Sequence, residues 1–298
     1  MRKVCTMSRN MHKFEELTPY EFDREKERAS IIYAAAGPVE YHEECNALGI
    51  DPCKGYQWCL DAAAITGGIV FPMIPFAPSG MRPHQTHAQL RERYGKPHFT
   101  EYTPQPGLYP GVFTGGEICK ALYMELLETF ALEHQFKLCV FFGAHGPAGQ
   151  LIKDIVKEET AGDHSGYKGG YEKIAGDFHG MRVMAVGSLD YNQDVIKAYY
   201  EKHQIARINH GGLWEASINY AINPEYFQPE LLEETKYPQH YGVLKEEHFE
   251  GCKRPVKSEY REFTPEFARD LYQTTVERFA ADVQKQYRDL TGNPQIGQ

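Results

Sequence analysis

Positive charge, paired cysteines and unbroken apolar sequence are all scarce in this 298-residue chain. Lysine and arginine total 32 against 41 acidic residues, a net charge of −9, and no basic run exceeds a pair such as Lys253-Arg254. A nucleic acid or an anionic membrane surface requires a concentrated positive field, so neither is an expected partner. Cysteines at 5, 45, 53, 59, 119, 139 and 252 make an odd set with no CxxC, and some sit in apolar runs such as Leu138-Cys139-Val140. That usage points to reduced packing thiols in a cytoplasmic protein, not to a disulfide framework. The irregular gaps between Cys45, Cys53 and Cys59, with no fourth cysteine nearby, argue against a zinc cluster. The first 23 residues lack the apolar core of about 7–15 residues that a secretory signal carries. The longest apolar stretch, residues 60–77, is interrupted by Asp61, Gly67, Gly68, Pro72 and Pro75, whereas a spanning helix needs about 20 apolar residues. No internal repeat or low-complexity linker divides the chain, so a single elaborated domain over residues 1–298 is expected.

What remains is globular in composition, 42% hydrophobic and 24% charged, and alternates between two patterns. Short apolar runs at 30–36, 69–71, 136–142 and 182–187 read as buried parallel strands. Between them lie helical patterns at 56–66, at 116–135 with Ile118, Leu122, Leu126 and Phe130 as an apolar stripe, from Leu151 to Val156, and at 211–222. A last helix opens with Thr264 as N-cap and Pro265 in the first turn, with Tyr272, Val276, Phe279 and Val283 on its buried face. Alternation of this kind predicts an α/β protein, a three-layer αβα sandwich with a mostly parallel central sheet, and ligands at the carboxyl ends of its strands. Residues 76–114, with six prolines, and residues 224–264 break the rhythm; the first is a candidate lid.

Ligand-type side chains gather at the predicted strand ends. Glu40 and His42 stand two residues apart after the first strand, so they share a face in extended chain, and Asp51 follows nine residues later. His145 follows the most hydrophobic strand directly, and His210-Gly211-Gly212 leads into a helix whose first turn carries Glu215. Carboxylates and imidazoles arriving together are the donor types of Zn²⁺, Mn²⁺ or Fe²⁺. Singly, each has a plain alternative: a solvated loop for Glu40 and His42, a packing histidine for His145, a dipole-stabilising acid for Glu215.

Together these segments resemble the creatininase (creatinine amidohydrolase) family. Glu40, His42, Leu48, Gly49 and Asp51 keep the spacing of its first signature, and Tyr109-Pro110-Gly111-Val112-Phe113-Thr114 echoes its second. Gly143-Ala144-His145-Gly146 corresponds to the third and His210-Gly211-Gly212-Leu213-Trp214-Glu215-Ala216-Ser217 to the fourth. The resemblance implies a creatininase-like sandwich binding two divalent metal ions (Zn, Mn or Fe) and hydrolysing a small amide, often cyclic, or a formamide through a hydroxide bridging the metals. It implies Glu40 and His145 on one metal, His42 on the other, Asp51 bridging, His210 in proton transfer, and Glu215 as ligand or proton acceptor. It also implies a homo-oligomer, often a hexamer. Pro147 replaces the metal-binding glutamate of creatinine-hydrolysing members and cannot ligate, which turns attention from creatinine itself. His84 and His87 either contact the substrate or belong to a solvated loop, and Trp214, with Tyr41 and Tyr56, either stacks on a planar substrate or lines the core. A lactonase or deformylase, a mononuclear iron oxygenase, and a non-catalytic relative remain competing readings.

Overall fold

Ile31–Ala36 forms β1, buried along its whole length. Ile31, Tyr33 and Ala35 enter one core while Ile32, Ala34 and Ala36 enter another, as a strand covered on both faces requires. In this computed structural model, which describes residues 9–43, 45–78, 111–112, 114–169, 172–205, 210–234 and 258–292, β1 is one of five strands. β2 (Ile69–Val70) and β3 (Leu138–Gly143) pair with it in parallel on either side. β5 (Met181–Gly187) lies parallel to β3, and β4 (Ile174–Phe178) closes the edge antiparallel to β5, in the order β2-β1-β3-β5-β4.

Four of these strands fall on the predicted apolar runs. β4 does not, because an edge strand holding Gly176 and Asp177 carries little apolar signal. Its link to β5 turns at His179 and Gly180, both with positive φ (49° and 86°), the hand that suits a two-residue hairpin.

One face of the sheet is covered by α2 (Ile50–Thr66), α5 (Gln193–Lys202), α6 (Leu213–Ile222) and α7 (Pro265–Thr291), with Trp58, Ile196, Leu213 and Phe279 in a shared core. On the other face lie α3 (Gly116–Glu128) and α4 (Gly146–Glu159), contributing Tyr123, Leu127, Ile152 and Val156. Ahead of β1, α1 (Pro19–Arg28) starts at Thr18, whose hydroxyl caps Glu21 N–H while the Glu21 carboxylate returns to Thr18 N–H. No helix among the described residues is long and apolar enough to cross a membrane.

The α3 stripe departs from the sequence expectation. Ile118 is 67% exposed, and the buried positions are Cys119, Tyr123 and Leu127, continued by Phe130 in the π turn Thr129–Glu133. A four-residue step overshoots a helical turn by about 40°, so the series 118, 122, 126, 130 drifts from solvent to core. The second helix also begins earlier than expected, at Ile50, and this brings Asp51 into its first turn.

The connections decide where a ligand fits. From β1 the chain passes to α2 on one face; from the neighbouring β3 it passes to α4 on the opposite face. Adjacent strands whose helices part in this way leave a crevice beyond their carboxyl ends.

Candidate active site

Four stretches of chain meet in that crevice. Glu40 and His42 cross the end of β1 and are fully buried. His42 Nδ1 lies 3.0 Å from the Glu40 carbonyl, which can only accept, so Nδ1 carries the hydrogen and Nε2 is left to bind a proton or a cation. Asn46 Nδ2 donates to the His42 carbonyl (2.9 Å), and Glu43, with φ of 68°, turns the chain beyond it. Asp51 points inward from the first turn of α2, its Oδ2 lying 3.4 Å from His42 Nε2.

His145 is the N-cap residue of α4, immediately after β3. A Cβ on Gly143 would lie 2.2 Å from Gly149 Cα, so the helix starts directly against the strand end and has no room for a side chain there. The His145 Nδ1 stands 3.1 Å from both Glu40 Oε1 and Asp51 Oδ2. From the fourth stretch, His210 Nε2 donates to the Tyr41 carbonyl (2.8 Å) and Nδ1 faces Glu40 Oε1 at 3.8 Å. Gly211 follows with φ of 56°; a Cβ here would meet the His42 carbonyl at 3.0 Å. Glu215, in the first turn of α6, accepts from Gly211 N–H at 2.6 Å through Oε2. Its Oε1 accepts from Lys54 Nζ at 2.7 Å and lies 3.8 Å from His42 Nε2.

Lys54 was not among the residues expected here. It is buried one turn along α2 from Asp51, and its Nζ donates to Asp51 Oδ1 at 2.6 Å as well as to Glu215. An acid and a lysine three residues apart on a helix usually mark a solvated pair, so the spacing carried no sign of burial.

Charges in this enclosed space set one another. Burial works against the His42 imidazolium, but Asp51 and Glu215 outweigh it and push its pKa up to about 9. The His145 pKa is raised on the same balance, burial opposing and Glu40 and Asp51 prevailing. His210 goes the other way: burial and the neighbouring His42 hold it well below the usual range, which favours the neutral imidazole. Burial would raise the Asp51 carboxyl, yet Lys54 and His42 keep it well below its ordinary value.

The donor set fits a divalent ion. Three groups place ligand atoms within 4.8 Å of one another: Glu40, His145 and His210; Glu40, His42 and Asp51; His42, His210 and Glu215. Among the described residues His42 Nε2, His145 Nε2 and Asp51 Oδ2 are buried without a hydrogen bond, a cost that a bound cation would remove at His42 Nε2 and Asp51 Oδ2.

A cavity of about 360 Å³ adjoins the cluster, lined by His145, Gly146, Lys54, Trp214 and Glu215 and also by Lys153 and Asp190. Lys153 and Asp190 form a second buried ion pair at 3.1 Å that the sequence reading missed. Trp214 therefore stands at the cavity, its ring 4.9 Å from Lys54 Nζ. Tyr56 does not line this cavity; its hydroxyl binds Glu15 (2.8 Å). His84 and His87 lie outside the described residues.

The family model for creatininase, creatinine amidohydrolase, matches residues 15–283. A crystal structure of creatinine amidohydrolase has a TM-score of 0.61 at 17% identity, covering 93% of this chain and 98% of its own. A manganese creatininase gives 0.61 at 16%, over 93% and 98%. A mutant creatininase of the Zn-Zn type gives 0.61 at 15%, over 94% and 99%. No curated protein sequence matches the chain. With all but the two ends matched by the family model, on a fold shared along nearly the whole length, the chain belongs to the creatininase family.

Proposed function

We propose that this protein is a metal-dependent hydrolase that opens a small amide, cyclic or of the formamide type. The observation that carries the reading is the convergence of Glu40 Oε1, His42 Nε2, Asp51 Oδ2 and His145 Nδ1 beside a cavity of small-molecule size. Glu40, Asp51, His42 and His145 would hold the cation, Mn²⁺, Zn²⁺ or Fe²⁺. Such an ion supplies Lewis acidity, lowering the pKa of a water and polarising a carbonyl.

The remaining work belongs to the chain's own groups. His210, held neutral with its Nε2 hydrogen on the Tyr41 carbonyl, presents Nδ1 as the proton acceptor and can pass that proton to the leaving nitrogen. Trp214 and the first turn of α4 shape the cavity around a flat, small substrate. Lys153, paired with Asp190 in the cavity lining, places a cation beside the substrate's polar edge. The two oxygens of Glu215 are both engaged, so its part here is to hold Lys54 and the Gly211 turn.

Chelation should abolish turnover of a responsive amide, lactone or formamide from a substrate screen run without oxygen, and added Mn²⁺ or Zn²⁺ should restore it. Unchanged turnover after complete removal of metal would refute the reading; oxygen-dependent conversion would replace it with an iron oxygenase.

A further inference from the structure

We infer that the Lys54 ammonium takes the place of a second cation, so that the centre binds one divalent ion per chain. The inference deepens the metal-dependent reading and rests on it. A carboxylate bridging two cations presents one oxygen to each, and Asp51 does this already. Its Oδ2 faces His42 and His145, whereas its Oδ1 is 2.6 Å from Lys54 Nζ. Glu215, the other acid on that side, gives Oε1 to the same ammonium at 2.7 Å and Oε2 to Gly211 N–H. Both oxygens of Glu215 are thus already engaged while Lys54 stays in place. Two residues past His145 the chain has Pro147, whose side chain has no donor atom to add.

Lys54 is a built part of the centre. It is 1% exposed, its ammonium has two carboxylate partners, and the third side meets the Trp214 ring at 4.9 Å. A buried charge is tolerated only when matched, and here the match constrains the metal count. Glu40, Asp51 and Glu215, the carboxylates that contact the imidazoles, bring three negative charges. One divalent ion with one ammonium balances them; two divalent ions with the ammonium would leave two positive charges in excess among buried side chains. The lysine also holds Asp51 Oδ2 toward the histidines, which positions that oxygen for the single ion.

The full chain, equilibrated with excess Mn²⁺ and desalted, is analysed for bound metal by mass spectrometry and for its Mn²⁺ signal by electron paramagnetic resonance. The wild type is expected to retain about one ion per chain with an uncoupled, mononuclear signal. Two ions with an exchange-coupled signal would overturn the inference while leaving the metal-dependent reading intact; no retained ion would remove both. Lys54→Arg, which keeps the charge, should retain one ion. Lys54→Gln frees Asp51 Oδ1 and Glu215 Oε1 and should take up a second ion with a coupled signal. A lasting single uncoupled ion in Lys54→Gln would show that a cation does not bind where the ammonium stands, and would overturn the substitution.

Discussion

His145 and Asp51 meet at 3.1 Å, but their loss should not be equivalent. His145→Ala removes a donor from the end of β3 but leaves Lys54 with both its carboxylate partners, so metal retention and turnover should fall by at least about 100-fold, more than an outer-shell change costs, with little change in circular dichroism. Asp51→Ala should empty the centre to the same degree and also destabilise the fold, because Lys54 keeps only Glu215 as counter-charge. The unfolding midpoint in denaturant should register a loss approaching the roughly 3–5 kcal/mol typical of a broken buried pair. Equal stability of the two variants, or full metal content in either, would contradict these roles. The candidate donors were legible as residues, since Glu40, His42 and His145 are polar side chains set just beyond apolar runs and Asp51 follows close on the first pair. Lys54 was not: within a helix, a lysine after an acid looks the same whether it meets solvent or a carboxylate brought from 161 residues away.

Helices and strands were legible where both faces or one clear face are buried, as in β1, β3 and α7, and less so where geometry drifts, as along α3. The element that places His145 is the junction of β3 and α4, and it depends on backbone contact between Gly143 and Gly149. Gly143→Ala puts a methyl against that contact, so the helix start must move. A destabilisation of about 1–3 kcal/mol is expected in thermal unfolding, together with reduced metal retention as His145 shifts away from Glu40. Wild-type metal affinity in a destabilised Gly143→Ala protein would mean that this junction does not position the histidine.

Across the molecule, the core on the α7 side of the sheet gathers around Phe279, fully buried with Tyr191, Phe142 and Tyr33 rings at 5.3, 5.7 and 6.2 Å. Phe279→Ala should cost about 3–5 kcal/mol of unfolding free energy, read from denaturant titration, while the metal content of the folded fraction stays unchanged. An ion bound as proposed, by groups from separate stretches of chain, would bind only the folded state, so Mn²⁺ at about a hundredfold above its dissociation constant should add roughly 2.7 kcal/mol of stability to the wild type and almost none to His145→Ala. The linear pattern of apolar runs and polar strand ends was enough to yield the sandwich, most of its strands and the family, because period and spacing are local properties written along one chain. Which oxygens face which nitrogens, the burial of Lys54 between Asp51 and Glu215, and the Lys153–Asp190 wall were decided only when the sheet brought β1, β3 and the start of α6 side by side, since such contacts depend on distances between residues far apart in sequence.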